Sequence, residues 1–442
     1  MTKTIALLIS LLLLVACGGA PNTENRPTPI APAGGEGGGS ADEGGGVGRT
    51  VSLRLWVPND DARNAVYQAL IVAYTTANPD VSIQLETFDP AAYAQTVQSA
   101  LAAGGAADII QLPGSACPWA AAGYLAEVPA GVLSLTDAAA RVAAGGSVCG
   151  DRLYSLPQTV TLPAAAALVD RATAEAAGLA DAAAGWATWD DLLADARALA
   201  IVQDGAMTRA GFHFIDPEVL PALFYGLILQ SGGQVTTNGT MTVNTPQGAA
   251  ALALLKRFVD EGAIDPQRFN DAADPVARSV LEGRSAMGVA PPAVAAQWNA
   301  AHPNAPALYL PLPWGGAPVV AAPGWALAVT NLSAAPEVAW DFARFVTLEP
   351  ANAAQWSQAA GALPALLANR EGETAAQLAA AQPALAPLLP LLPAATDAGL
   401  GADHDRLWRE VTYPRLLAYL QGTATAEETL AGIDAAAGAP TP

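Results

Sequence analysis

The sequence predicts an α/β protein built as two lobes, with several crossings of the chain between them. From residue 51 onward, β-branched runs alternate with amphipathic helical patterns, which is typical of a parallel sheet covered by helices. A separate series of helices and short strands begins after residue 162. The chain has 442 residues, of which 52% are hydrophobic, so it is long enough for two or three domains with a sizeable core.

Three predicted strands and two predicted helices make up the first part of the fold. Val66, Leu70 and Ala73 share the face of the first helix that we expect to be buried. The strands are "VSLRLWV" (51–57), "VSIQLETF" (81–88) and "ADIIQL" (107–112). Parallel sheets bind ligands beyond the carboxyl ends of their strands, and these ends are residues 58–60, 89–90 and 113–115.

The second part begins with "DRLYSLPQTVTL" (151–162), which we predict to be one strand. Thr188 and Asp191 have the spacing of a capping box and predict a helix that begins at Trp189. The remaining predicted elements are helices within 220–233, 245–262 and 333–347 and strands within 285–290, 307–313 and 324–330. This mixture predicts a second α/β lobe.

The charge balance excludes one large class of partner. Acidic residues number 40 against 20 basic ones, and the formal net charge is −20. The basic residues form no run, whereas nucleic-acid binding needs clustered lysine and arginine to neutralise phosphates. We therefore expect no nucleic-acid partner.

The amino terminus has the layout of a secretory leader. Lys3 precedes an apolar segment of about 12 residues (5–16), which is too short to span a membrane as a helix. Its end, "LVAC" (14–17), resembles the lipobox of bacterial lipoproteins, which implies cleavage before Cys17 and lipid attachment to its sulfur. Residues 17–50 would then be a flexible tether on an extracytoplasmic protein. An ordinary signal peptide is the alternative.

The extracytoplasmic location bears on the oxidation state of the other two cysteines. In an oxidising compartment Cys117 and Cys149 are expected to form a disulfide, with two free buried thiols as the alternative. His213, His302 and His404 are scattered and none has ligand spacing from a cysteine, so we expect no metal and no cofactor.

The order of the segments carries a family resemblance over most of residues 51–370. The pieces are, in order, "LRLWVPND", "ANPDVSIQLE", "YAQTVQSALAAGGAADIIQL", "GYLAEV", "GDRLYSLP", "EAAGLADAAAGWATWDDLLADARAL", "GRSAMGV", "LPLPWGG", "PGWALAVTNLSAAPEVAWDFARFV" and "GALPAL". This series resembles the extracellular solute-binding proteins of ABC importers, in the sugar-binding branch that includes maltose-binding proteins.

The resemblance implies a clamshell fold of the periplasmic-binding-protein type II, in which a solute bound between two lobes favours the closed form. It also implies a monomer without catalytic activity that delivers its solute to ABC permease subunits at the membrane. The implied first lobe is 51–158 plus 327–364, the second lobe is 159–326 plus 365–435, and the hinges fall near 157–162, 323–328 and 362–366.

Candidate ligand contacts are aromatic rings and polar groups near the strand ends and crossings, since sugars need both. Asp60 lies where maltose-binding proteins carry a ligand-contacting carboxylate, although it would also suit a helix N-cap. Trp56, Trp189 and Trp340 lie inside element patterns and are expected in the core. The candidates are Asn59, Asp60, Ser115, Trp119, Gln158, Thr161, Trp298 and Trp325.

Departures from the family pattern leave the solute open. Leu112 replaces a tryptophan, Thr161 aligns with a glutamate, and the "AMG" strand is followed by Pro291 and Pro292 rather than an aromatic residue. A maltodextrin is therefore doubtful, and a polyamine or peptide in the same clamshell is an alternative. A lipoprotein for sensing or adhesion is another. An enzyme is disfavoured, because no G-x-S-x-G, H-E-x-x-H or P-loop motif occurs.

Overall fold

The computed structural model describes residues 50–143, 145–178, 185–304 and 306–438. The described residues between 50 and 438 form one compact unit. Cys17, the predicted leader and nearly all of the predicted tether lie outside the described residues. No helix in the described ranges is both long enough and apolar enough to cross a membrane.

The strands of the described residues are β1 (Val51–Pro58), β2 (Val81–Phe88), β3 (Ile109–Pro113), β4 (Val148–Cys149), β5 (Arg152–Leu153), β6 (Leu156–Pro157), β7 (Thr159–Thr161), β8 (Ala166–Val169), β9 (Ile201–Gln203), β10 (Ala206–His213), β11 (Thr236–Thr237), β12 (Thr240–Met241), β13 (Ser285–Gly288), β14 (Leu308–Pro311), β15 (Val319–Pro323), β16 (Trp325–Val329), β17 (Leu363–Pro364) and β18 (Ala395–Asp397).

The α-helices are α1 (Asp61–Ala77), α2 (Tyr93–Ala102), α3 (Cys117–Ala121), α4 (Leu135–Arg141), α5 (Arg171–Ala176), α6 (Trp189–Leu199), α7 (Val219–Gln230), α8 (Pro246–Asp260), α9 (Val276–Leu281), α10 (Pro292–Ala301), α11 (Pro336–Thr347), α12 (Pro350–Ala360), α13 (Gly372–Ala381), α14 (Tyr413–Leu420) and α15 (Ala426–Ala437). Short 3-10 turns cover Leu367–Asn369, Pro383–Leu385, Leu389–Ala394 and Gly401–Asp403, and a π-helix covers Arg406–Thr412.

The first sheet has the strand order β2-β1-β3-β16-β6. β1 pairs in parallel with β2 and with β3, as the strand–helix alternation predicts. β16 then pairs antiparallel with β3 and β6, so the sheet is mixed. Leu53, Leu55 and Val57 of β1 are fully buried in one core and Trp56 is buried in another, so both faces of the sheet are covered.

The buried face of α1 differs from the prediction. Tyr67, Leu70 and Tyr74 are buried, whereas Ala73 is exposed and Val66 is half-buried. The difference arises because the tyrosines, with large apolar rings, pack on the sheet in preference to the smaller aliphatic residues. Trp56 and Trp340 are buried, as predicted, while Trp189 is half-buried with its ring edge-on to Trp314.

The second sheet has the order β14-β8-β13-β10-β9 and lies in the second lobe. β10 and β13 are parallel, and β8 runs antiparallel to both β13 and β14. Helix α6 beside this sheet begins at the predicted capping box, in which Thr188 and Asp191 exchange hydrogen bonds between side chain and backbone. The chain therefore forms two mixed α/β lobes, and their predicted residue limits stay a prediction.

A third sheet, the crossing sheet, has the order β17-β7-β15-β18 and joins the two lobes. The predicted single strand 151–162 is wrong, because the chain divides it into β5, β6 and β7, which belong to three different sheets. Gln158 alone separates β6 of the first sheet from β7 of the crossing sheet. Gly324 alone separates β15 from β16 in the same way.

These crossings place the carboxyl edges of both large sheets towards the crossing sheet. In the first sheet, β6 ends at Pro157 and β16 begins at Trp325. The cross-strand partner of Trp325 is Pro113, the last residue of β3. β8 begins and β14 ends at the paired residues Ala166 and Pro311 of the second sheet. Because ligands bind beyond the carboxyl ends of strands in α/β sheets, this region holds the candidate site.

A disulfide joins Cys117 and Cys149, as predicted. It fixes the start of α3 to β4, and the chain around it is further held by a hydrogen bond from Ala116 N to Gly146 O at 2.7 Å. Gly146 lies against the end of β15, since a Cβ atom there would come within 2.5 Å of Pro323 Cγ. The disulfide and its neighbouring residues therefore pack against the crossing sheet at the end of β15.

Candidate functional site

Four of the predicted ligand residues meet at the carboxyl edge of the first sheet. Asn59 and Asp60 follow β1, Gln158 follows β6, and Trp325 opens β16. β1 and β3 are parallel, and the cross-strand partner of Trp325 is Pro113 at the end of β3. Strand pairing brings residues that are more than 260 positions apart in sequence to one edge.

Asp60 has the N-cap role that was its alternative assignment. Its Oδ1 accepts a hydrogen bond from the backbone nitrogen of Arg63 at 2.9 Å, which satisfies one free donor of α1. Its Oδ2 lies 3.4 Å from the Arg63 Nε, and the Asp60 side chain is 40% exposed. One carboxylate oxygen therefore caps the helix while the other holds a guanidinium and faces solvent.

Arg63 is a member of this site that the sequence did not indicate. Its guanidinium carbon lies 5.2 Å from the centroid of the Trp325 ring, and its side chain is only 13% exposed. A cation over an indole face is attracted by the quadrupole of the ring. Asp60, Arg63 and Trp325, which we call the first-lobe corner, thus combine an acceptor, a donor array and an aromatic ring.

The backbone of Trp325 is fixed on both sides. Its nitrogen donates to Thr159 Oγ1 at 2.8 Å, and its carbonyl accepts from Gln158 N at 2.8 Å. The ring is half-buried and packs on the first-lobe core. Gln158 and Thr159 lie where the chain passes from β6 of the first sheet to β7 of the crossing sheet. The position of the Trp325 ring is therefore tied to this connection.

Gln158 is buried beneath the corner and is already hydrogen-bonded. Its side-chain amide contacts the Tyr67 hydroxyl at 3.0 Å and Gln111 Nε2 at 2.8 Å, and it is 5% exposed. Burial raises the pKa of Tyr67, which keeps this hydroxyl protonated and able to donate. Direct ligand contact by Gln158 stays a prediction, and its bonds suit a supporting role beneath Trp325.

Asn59 is exposed beside the corner. Its Oδ1 accepts a hydrogen bond from Asn64 Nδ2 at 2.9 Å, which orients the amide. Asn59 therefore stays a candidate for a polar contact at the rim.

The remaining predicted contacts lie elsewhere. Ser115 is buried, and its hydroxyl accepts from Cys117 N and donates to Gly146 O. The exposed Thr161 donates to Ala322 O within the crossing sheet, and Trp119 packs on the core on the other face of the first sheet. Trp298 lies in α10 and stacks on His302 at a centroid distance of 4.2 Å. Ligand contact by these four residues stays a prediction.

The carboxyl edge of the second sheet carries a charged group that the sequence did not indicate. Asp216 follows β10 and accepts a hydrogen bond from Glu218 N at 2.8 Å. The Glu218 carboxylate lies 2.7 Å from Arg409 Nη2. Burial raises the pKa values of both carboxyl groups. We call Asp216 and Glu218 the acidic edge. A turn after β10 brings these two residues together, and Arg409 reaches Glu218 from a distant part of the sequence.

A second open region near this edge lacks the groups that a sugar needs. A cavity of about 500 Å³ is lined by apolar and proline residues together with Trp186 and Trp314. The indole nitrogens of these two residues already donate to Asp195 and to Ala164 O. Among its described lining residues no other polar side chain occurs, so we assign the candidate site to the first-lobe corner.

The described residues contain no group of histidine, cysteine and carboxylate side chains arranged to hold a metal ion. The first-lobe corner itself offers hydrogen-bonding groups and an aromatic ring, which suit an organic solute.

The fold and this edge define the class of two-lobe solute-binding proteins. The family model of bacterial extracellular solute-binding proteins matches residues 69–386. The chain belongs to this family, whose members bind solutes and are not enzymes, and the family places it outside the cytoplasm. No curated protein matches the chain.

Solved structures with the same fold include several sugar binders. The cyclic α-maltosyl-1,6-maltose binding protein from Arthrobacter globiformis has a TM-score of 0.70 at 21% identity, covering 88% of this chain and 98% of that one. The GacH receptor of Streptomyces glaucescens, solved with acarbose, has a TM-score of 0.66 at 19% identity, covering 88% and 97%. The maltose-bound MalE3 of T. maritima has a TM-score of 0.65 at 17% identity, covering 88% and 99%. At these identities the similarity shows the fold.

Proposed function

We propose that this chain captures a carbohydrate between its lobes and that the first-lobe corner is the main recognition element. The observation that carries the proposal is Trp325, a half-buried indole held through both backbone groups at the carboxyl edge of the first sheet. The apolar face of a pyranose packs on such a ring, while its hydroxyls need fixed polar partners. Asp60 supplies an acceptor and Arg63 supplies donors within the same corner.

The acidic edge of the second lobe would complete the site when the lobes close. Carboxylates accept hydrogen bonds from sugar hydroxyls, and Asp216 and Glu218 lie at the edge that the crossing strands direct towards the first lobe. A ligand that contacts both edges binds the closed form better than the open form. It would therefore shift the population towards closure.

The test is a melting experiment on residues 49–442 with a panel of mono- and oligosaccharides. A ligand at 100 times its dissociation constant should raise the free energy of unfolding by about 2.7 kcal/mol. The rise should disappear in Trp325→Ala. A panel without any stabilising sugar would contradict the proposal.

A cationic solute is the second candidate, and the acidic edge favours it. The pKa values of Asp216 and Glu218 are raised because their burial disfavours the charged forms, and a bound amine would reverse that effect. Polyamines added to the same panel distinguish the two candidates. With a polyamine, Asp60→Asn should abolish binding, whereas with a neutral sugar it should only weaken it. Peptides in the panel test the remaining solute class.

Delivery to ABC permease subunits, anchoring through lipid on Cys17 and a monomeric state complete the proposal. The family and the sequence of residues 14–17 support the first two. Uptake of the stabilising sugar should fail in cells that lack the protein, and Cys17→Ala should release it from the membrane fraction. Binding without any uptake defect would favour the sensing or adhesion alternative. Light scattering of the purified chain tests the monomer.

A further inference from the structure

A small cavity of about 160 Å³ lies at the crossing sheet, apart from the first-lobe corner. Its apolar walls come from three of the four strands of the crossing sheet and include Val160 of β7, Ala321 and Ala322 of β15 and Ala395 of β18. Two charged residues, Arg370 and Asp397, also line it. Its volume corresponds to about five water molecules in the liquid, so it can hold a small organic molecule.

Arg370 brings an unpaired positive charge to this cavity. Its Nε donates to Pro364 O at 3.0 Å, but its Nη2 is buried and has no hydrogen-bond partner among the described residues. No carboxylate in the described ranges forms an ion pair with it. Burial lowers its pKa to about 10, which reflects the loss of hydration without a compensating anion. A partly buried cation is stabilised by an anionic partner, so the Arg370 side of the cavity suits an anion.

Asp397 limits which anion fits. Its Oδ1 accepts from Gly399 N at 2.5 Å, and its Oδ2 lies against Gly145, where a Cβ atom would come within 2.8 Å. An anion without donors would be repelled by this carboxylate. An anion with a hydroxyl or ammonium group could donate to it while its own charge meets Arg370.

We propose that this cavity is a second binding site, which takes a small carboxylate bearing a hydroxyl or amino group. The carboxylate pairs with the guanidinium of Arg370, and the donor group bonds to Asp397. The site differs from the proposed carbohydrate site in residues and in chemistry, because neither Trp325 nor Asp60 lines the cavity.

The proposal is tested by saturation-transfer NMR on residues 49–442 with glycolate and with acetate, in a chloride-free buffer at fixed ionic strength. Glycolate carries both a carboxylate and a hydroxyl, whereas acetate lacks the donor. We expect glycolate to bind at millimolar concentration and at least five times more tightly than acetate. Absence of saturation transfer to glycolate, or equal binding of the two anions, overturns the proposal.

Two variants test the roles of Arg370 and Asp397 in anion binding. Arg370→Met keeps the length of the side chain and should weaken glycolate binding at least tenfold. Asp397→Asn should strengthen acetate binding and remove the preference for glycolate, because it deletes the repelling charge. If Arg370→Met fails to fold, the result with Asp397→Asn decides, since Asp397 is exposed and its replacement keeps the shape. Unchanged anion binding in Asp397→Asn would overturn the proposal.

Discussion

Arg63 and Trp325 are 262 positions apart in sequence, yet the guanidinium carbon of Arg63 lies 5.2 Å from the ring centroid of Trp325. This contact places the proposed sugar-binding ring at the start of α1. Trp325→Ala removes the ring and should weaken sugar binding at least tenfold, which corresponds to about 1.4 kcal/mol. Isothermal titration calorimetry with the stabilising sugar measures the loss.

The matched control is Trp189→Ala. Trp189 is also a half-buried tryptophan, but it lies in α6 of the second lobe with its ring edge-on to Trp314. Its removal should leave the affinity within about twofold of that of the unchanged protein, a difference of about 0.4 kcal/mol. The assignment of the corner fails if the two variants lose affinity equally.

Substitutions of Asp60 separate its cap role from its proposed ligand role. Asparagine caps a helix as well as aspartate does, so Asp60→Asn should change the free energy of unfolding by less than about 0.5 kcal/mol. Asp60→Ala should cost about 1 kcal/mol of stability. Both should weaken sugar binding, because both remove the carboxylate beside Arg63. Denaturant unfolding and calorimetry on the same samples give the two quantities, and full affinity in Asp60→Asn would leave only the cap role.

Removal of the disulfide should destabilise the chain. Cys117 and Cys149 are separated by 32 positions, and a loop of this size gives about 3 to 4 kcal/mol of stabilisation in the chain-entropy model. The double variant Cys117→Ser, Cys149→Ser should therefore unfold at a markedly lower denaturant concentration than the oxidised protein. A reducing agent should lower the stability of the wild type and leave that of the variant unchanged. Equal stability of the oxidised wild type and the variant would contradict this.

His213 should make the stability depend on pH in the acid range. It is fully buried in the second lobe, and burial lowers its pKa to about 4. The unfolded chain, with a pKa near 6.5 for this group, then binds more protons between these values. Stability should fall as the pH drops from about 6.5 to about 4, by up to about 3 kcal/mol.

The comparison with His213→Phe isolates this effect. The raised pKa values of Asp216 and Glu218 act in the opposite sense, because the folded state holds those protons more tightly. Unfolding curves recorded at several pH values for both proteins should differ in slope only below about pH 6.5. Parallel pH profiles would show that His213 is not the cause.

The regular elements could be predicted from the sequence because their signals are local. β1 and β2 are confirmed within a residue of their predicted ends, and the capping box at Thr188 is confirmed. The segment 151–162 was not predictable in this way. Its division into three strands depends on pairing with β16 and β15, which lie more than 150 residues away, and local patterns contain no such information.

The candidate site was predictable only in part for the same reason. Trp325 and Asp60 could be proposed from their positions beside strands. Arg63 is the one basic residue of α1, but only the folded chain places it over Trp325. Glu218 and Arg409 are 191 positions apart in sequence, so their ion pair is a consequence of the second-lobe fold.

Gln158 and Gly324 are two single-residue connections between the first sheet and the crossing sheet. They lie side by side, since Gln158 N donates to Trp325 O, and Gly324 leaves no room for a side chain because a Cβ atom would come within 2.2 Å of Thr159 Oγ1. A rotation about this pair moves nearby atoms little and distant atoms at the rim of each lobe much more. The solute that we propose to bind on Trp325 would therefore act close to this pair, and a small rotation there would move the outer surfaces of the lobes much further.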